Sequence, residues 1–144
     1  MIENISKEYV INTNPEKIDV ALVFRFLSEE SYWAKDRTRD EVVKSIENSL
    51  NFGLYKNGTM VGFARIITDY TTFAYLADVF IVKKERGKGL GNTLVKFVLD
   101  FKAIKNVRRW MLGTMDAHEL YRPYGFSEVA NPKRWMERLV GDGF

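Results

Sequence analysis

The 144-residue sequence predicts one α/β domain built on a mixed sheet with helices on its faces. Three observations predict it. A strong hairpin signal in the first half gives way to alternating strand and helix patterns in the second, which implies a sheet part antiparallel and part parallel. Apolar residues make up 46% of the chain and aromatics 14%, enough for a real core without staples. No repeat or low-complexity segment divides the chain, so residues 1–144 read as a single domain.

The elements follow in order. "YVINT" (Tyr9 to Thr13) is a short strand, and Pro15 suits the first turn of a helix that carries the apolar run Ile18 to Leu27. After the polar interval "SEESYWAKDR", Thr38 and Glu41 make a capping box for a helix striped by Val42, Ile46 and Leu50. "FGLYKNGTMVGFARIIT" is a hairpin turning at Asn57-Gly58, the dipeptide a two-residue type I′ turn demands. Thr72 to Val82 is apolar enough for a buried strand. Leu90, Leu94, Val98 and Phe101 repeat at helical spacing in a helix expected to end near Asn106, with Lys102 and Lys105 at its negative end. "RRWMLGT" is a strand, and Asp116 with Glu119 forms a cap for a very short helix ended by Pro123 and Gly125. "FSEVA" and "RWMERLV" read as two last strands. The predicted order is β-α-α-β-β-β-α-β-α-β-β.

Composition excludes several classes of function. There is no cysteine, so disulfides, thiolate nucleophiles and cysteine-based zinc sites are ruled out, and a single histidine, His118, leaves too few ligands for most structural metal sites; no metal is expected. No stretch approaches a bilayer span and "MIENISKEYV" carries no signal-peptide pattern, so a cytoplasmic location without membrane attachment is expected. The net charge of +3 is unevenly spread: from Lys83 to Arg109 nine basic residues face Glu85 and Asp100. That concentration suits an anionic ligand. Nucleic acid is not expected, because the basic helix has no interleaved aromatic platform or groove-reading motif.

The basic segment holds Arg86-Gly87-Lys88-Gly89-Leu90-Gly91, between a strand and a helix. Such a junction aims backbone N–H groups and the positive end of a helix dipole at one spot, which suits a phosphate or pyrophosphate. One glycine is explained by a sharp turn; three alternating ones are not. The Walker pattern fails because Gly91 is followed by Asn92-Thr93 without lysine, and the dinucleotide pattern fails because the glycines are spaced G-x-G-x-G. What is present is R-x-x-G-x-G, as Arg86-x-x-Gly89-x-Gly91.

This segment resembles the acetyl-CoA-binding motif of the GNAT superfamily of N-acetyltransferases, and "LYRPYGF" (Leu120 to Phe126) resembles that family's second motif. The resemblance spans essentially the whole chain and is most specific from Asp78 to Phe126. It implies a GNAT-like fold and acetyl-CoA as acetyl donor. It implies that Arg86, Gly87, Lys88, Gly89, Leu90, Gly91 and Asn92 hold the CoA pyrophosphate. It further implies that the strand at Phe80, Ile81 and Val82 pairs with pantetheine and supplies an oxyanion N–H. Tyr121 falls on the tyrosine that lies near the acetyl sulfur and protonates the departing thiolate. Thr114 stands where many members carry a CoA-contacting asparagine, Lys84 where the family often has proline, and Pro123 is unusual within its motif.

The implied reaction is transfer of acetyl from acetyl-CoA to a primary amine of a small molecule, peptide or protein; a non-catalytic acyl-CoA-binding module on the same fold is the alternative. Asp78 is a lone carboxylate on an apolar strand, and by period-two alternation it shares a face with Phe80 and Val82. It reads either as a proton acceptor for the amine or as a structural carboxylate bonded to backbone or a basic residue. Tyr32 and Trp33 lie where the resemblance implies an acceptor-binding loop, and read as substrate contacts or as rim packing. His118 reads as a surface residue. The exposed late strands make a homodimer an expectation.

Overall fold

A hairpin turn and a capping box anchor the layout of the computed structural model, which describes residues 1–141. Asn57 and Gly58 both take positive φ, 47° and 85°, and so fold β3 (Leu50–Lys56) tightly onto β4 (Thr59–Thr68). Thr38 and Glu41 close the capping box, with both reciprocal bonds made, at the start of α2 (Arg39–Glu47). Upstream, β1 (Ile2–Asn4) and β2 (Tyr9–Asn12) precede α1 (Val20–Glu29). Downstream run β5 (Phe73–Ile81), α3 (Leu90–Asp100), β6 (Arg109–Met111) and the single-turn α4 (His118–Tyr121).

The six strands form one sheet in chain order, antiparallel throughout except that β6 pairs parallel to β5. Parallel pairing needs a crossover, and α3 supplies it. One face buries Ile11, Phe52, Leu54, Ile66 and Leu76 against Leu94, Val95 and Val98 of α3. The other buries Phe63 and Phe80 against Val23, Phe26 and Leu27 of α1 and Val42 and Ile46 of α2. Phe26 and Phe80 stack with centroids 4.0 Å apart.

Several elements depart from the pattern read in sequence. Pro15–Lys17 is a separate 3-10 turn; Ile18 is extended and buried, and α1 starts only after Asp19, whose carboxylate accepts the Leu22 N–H at 3.0 Å. Helix α3 stops at Asp100, because Phe101 turns extended and packs edge-on to Phe52 at 5.1 Å. Lys102 and Lys105 therefore lie beyond the helix. Asp116 does not cap α4; Thr114 Oγ1 instead accepts the N–H groups of Asp116 and Ala117 at 3.3 and 3.0 Å. The two expected last strands do not form. Gly125 at φ 91° turns the chain and Arg122 grips Glu128 at 2.6 Å, while Pro132 opens a 3-10 turn that delivers Trp135 onto Arg109 at 4.6 Å. The unforeseen β1 is three exposed residues without alternation, held by its pairing to β2.

Leu94 is fully buried where α3 crosses the sheet. Leu94→Ala is expected to lower the unfolding free energy by about 2–5 kcal/mol, read from urea denaturation followed by circular dichroism.

Candidate active site

The site begins with a defect in β5. Phe63 pairs with Phe80 and Arg65 with Ala77, so one residue of β4 stands opposite two of β5, and Asp78 takes a left-handed φ of 53°. Unbroken alternation would put Ala74, Leu76, Asp78 and Phe80 on one face. The bulge separates them: Ala74 and Leu76 face α3, whereas Asp78 and Phe80 meet the α1–α2 side. A bulge also bends its strand. Strand β5 pairs with β6 only from Phe73 to Tyr75, and from Leu76 onward its second edge is open.

Asp78 is buried and fully engaged. Its Oδ1 accepts the Trp33 Nε1–H at 2.9 Å, and its Oδ2 accepts Arg37 Nη1 at 2.9 Å and Arg65 Nε at 2.8 Å. Arg65 Nη1 also donates to Ser49 Oγ at 3.1 Å. The α1–α2 loop is thus clamped to the bulge through Trp33 and Arg37.

The open edge leads to the glycine loop. Val82 N–H is bonded to the Val61 carbonyl at 2.8 Å, so by strand alternation Ile81 turns its N–H and C=O to the unpaired side; its carbonyl accepts Arg86 Nε at 2.9 Å. Gly87 and Gly89 adopt φ of 81° and 76°, which only glycine adopts freely, and Gly89 stands as the N-cap of α3 with no side-chain cap. The first N–H groups of α3 therefore point outward without a protein acceptor. Gly91 is the informative glycine. Its φ is not left-handed and a Cβ there would meet no protein atom within 4 Å, so neither backbone strain nor packing accounts for it. Space kept clear over a helix N-terminus fits a bound anion.

Below the loop, Glu85 is buried and accepts Tyr9 Oη and Lys88 Nζ at 2.7 Å each and Lys56 Nζ at 3.1 Å. Lys88, then Tyr9 and Lys56, hold its carboxyl down at about 2. Lys88 is thereby committed to fixing the loop, and it does not line the cleft, nor does Val82. Arg86 does line it, with its guanidinium 6.0 Å from the centre of the Phe26 ring. Asn92 accepts the Tyr124 hydroxyl through its carbonyl and side-chain oxygens at 3.2 and 3.3 Å, which ties the "RPYG" turn to α3.

One cleft of about 620 Å³ joins these parts. Its walls bring together Asp78, Phe80 and Ile81, the loop at Arg86, Gly87, Gly89, Leu90, Gly91 and Asn92, and, across the gap, Thr114 and Tyr121. Tyr32 and Trp33 line the same space. Tyr32 accepts the Met115 N–H at 2.8 Å and donates to Asp116 Oδ1 at 3.5 Å, which joins the α1–α2 loop to the segment after β6. Tyr121 is buried, and burial, assisted by the negative fields of Tyr32 and Asp116, raises its phenol to about 12. It stays protonated across the physiological range and is equipped to donate. His118 is exposed and lines an adjoining cleft of about 660 Å³ beyond β6, which shares Thr114 and Tyr121 with the first. Arg37, Arg65 and Glu85 were not singled out in the sequence. The available signal was that Arg65 and Asp78 are lone opposite charges on two successive apolar strands.

A sheet splayed open beside an uncapped helix N-terminus, with a protonated tyrosine across the gap, suits a ligand that joins an anionic group to an extended arm. Residues 20–126 match the acetyltransferase (GNAT) family. A candidate acetyltransferase from Gibberella zeae is 31% identical over 134 residues, covering 79% of this chain and 76% of its own. The crystal structure of a candidate GNAT acetyltransferase from Xanthomonas campestris superposes with a TM-score of 0.89 at 41% identity, covering 92% of this chain and 93% of that one. A candidate acetyltransferase from Clostridium acetobutylicum, solved with acetyl-CoA, shares the fold at 15% identity, with a TM-score of 0.68 and 96% of both chains covered. The chain belongs to the GNAT acetyltransferase family and is an acetyl-CoA-dependent acetyltransferase. Among the described residues no helix is long and apolar enough to cross a membrane.

Removing the Asp78 carboxylate strands two guanidiniums in a largely buried site. Asp78→Ala is expected to destabilise the fold by about 3–5 kcal/mol in urea unfolding; a change under about 1 kcal/mol would show that the carboxylate does not organise the arginines.

Proposed function

We propose that the protein transfers acetyl from acetyl-CoA directly to the primary amine of a small or peptidic acceptor, both bound together in the cleft. The cleared space at Gly91, above an uncapped helix end and beside Arg86, carries the donor half of this reading. In it, the amides of Gly87 to Asn92 hold the pyrophosphate and Arg86 adds a charge-assisted contact. The open edge of β5 beyond its pairing with β6 takes the pantetheine arm, Phe80 supports that edge by pairing with Phe63 of β4, and Thr114 closes the other side. Lys88 acts through Glu85 rather than on the ligand, and Val82 supports the strand with its N–H already bound to β4.

The amine lone pair attacks the thioester carbonyl, the oxyanion that forms needs a donor, and the thiolate leaves with a proton. We assign Ile81 N–H to the oxyanion and the Tyr121 hydroxyl to the thiolate. Tyr121 suits this role because burial keeps its proton in place up to about pH 12. Asp78 we assign to positioning: with both oxygens taken by Trp33, Arg37 and Arg65 it holds the bulge and the acceptor loop. The amine then loses its proton to water in the open cleft. Tyr32 and Trp33 shape the acceptor side.

Tyr121→Phe retains the ring and removes the proton. Its kcat is expected to fall by about 10²–10⁴-fold, followed as CoA thiol release, with acetyl-CoA still raising Tm. Because the phenol ionises near 12, wild-type kcat should show no alkaline decline from this residue below about pH 11. Unchanged kcat in the variant with every accepted amine would remove the tyrosine from the mechanism.

A further inference from the structure

The cluster at Asp78 is over-supplied with positive charge. Arg37 and Arg65 share one carboxylate, and both bond the same oxygen, Oδ2. Guanidinium groups do not deprotonate, so the three side chains carry a net charge of +1. Arg65 is only 7% exposed, and a buried charge without a full counter-charge is costly unless something pairs with it. Glu30 and Asp116 also line the cleft, but neither makes an ion pair with the two arginines, and Asp116 accepts the Tyr32 hydroxyl at 3.5 Å.

Both arginines line the cleft and keep donors that Asp78 does not use. Arg65 bonds Asp78 through Nε and Ser49 through Nη1, which leaves Nη2; Arg37 bonds through Nη1 alone, which leaves Nε and Nη2. None of these nitrogens is sealed off from solvent without a partner, and both arginines line the cleft. Arg37 thus keeps a two-nitrogen edge, Nε with Nη2, and Arg65 one further donor nitrogen, and a planar fork like that of Arg37 matches a carboxylate in bidentate fashion.

We propose that the acceptor is a primary amine that also bears a carboxylate, an amino acid in the broad chemical sense, and that Arg37 and Arg65 receive that carboxylate. This rests on the acetyl-transfer reading above and names its substrate class. A carboxylate balances the +1 of the cluster, whereas a phosphate monoester, at about −1.5 to −2, would place surplus negative charge beside Asp78. The amine end of such an acceptor is served by Asp116, whose field reaches Tyr121 and therefore draws an ammonium toward the reacting end of the cleft. Arg37 is the more accessible of the pair, with its side chain 24% exposed, and so sets the specificity.

The test uses matched amines that differ by one group: tyrosine against tyramine, lysine against cadaverine, phenylalanine against phenethylamine, and phosphoethanolamine against ethanolamine. Wild-type kcat/KM, read as CoA release, is expected to favour the carboxylated member of at least one of the first three pairs by about tenfold or more, mainly through KM. Arg37→Gln should bring that ratio to within about threefold by raising KM for the carboxylated amine well beyond any rise for its partner. Arg37→Lys, which keeps charge and fold but loses the fork, should fall between. Equal use of both members, preference for the decarboxylated amines or for the phosphate ester, or a ratio unmoved in Arg37→Gln would overturn the proposal. Turnover of none of these amines, with acetyl-CoA still raising Tm, would overturn it and leave the donor site standing. Failure of acetyl-CoA to raise Tm would instead overturn the acetyl-transfer reading itself.

Discussion

The bulge at Asp78 and the three donors that hold it are the constraint on which the rest of the structure depends. A left-handed φ at a non-glycine residue costs about 1–2 kcal/mol. Each hydrogen bond from Trp33, Arg37 and Arg65 to an ionised carboxylate contributes about 1.5–3 kcal/mol, so the clamp outweighs the strain. With the bulge in place β5 bends, its pairing with β6 ends at Tyr75, and the strand edge that a ligand can pair with is exposed. The same carboxylate fastens the α1–α2 loop over the opening. Fold and site therefore share one electrostatic knot rather than being layered one upon the other.

The donor end of the cleft is built by a second, separate device. Glu85, buried beneath the loop, gathers Tyr9 from β2, Lys56 from β3 and Lys88 from the loop itself. That network fixes the backbone of Arg86 to Gly89 and so fixes where the N–H groups of α3 point. Basic residues that look like a collar for an anion thus divide their duties. Lys88 is spent on Glu85, and Arg86 is braced at Nε by the Ile81 carbonyl while lining the cleft. In the proposed reading the anion is left chiefly to backbone amides and a helix dipole, groups that cannot be displaced by a change of rotamer.

Much of this was legible in sequence, and the limits have physical causes. Local signals held where local chemistry decides: Asn57-Gly58 turns the hairpin, and Thr38 and Glu41 cap α2. Prediction failed where tertiary contacts decide. The end of α3 is set by Phe101 against Phe52, and "FSEVA" and "RWMERLV" read as strands but find no partner edge among the described residues. The arginines around Asp78 arrive from 41 and 13 positions away, and only Arg65 left a mark, as a lone charge opposite to Asp78 on the preceding apolar strand. A bulge likewise has no reliable sequence mark, yet it decides which face each residue of β5 occupies.

The central claim is that acetyl-CoA lies between the splayed edges of β5 and β6, with its pyrophosphate on the glycine loop. A titration of 15N-labelled protein with acetyl-CoA, followed by amide chemical shifts, tests it most directly. The account predicts that the largest changes fall at Gly87 to Asn92 and at Ile81, with the amides of Ser127 to Ala130 little changed. The largest changes at Ser127 to Ala130, on the other cleft beyond β6, with the loop unmoved, would contradict it.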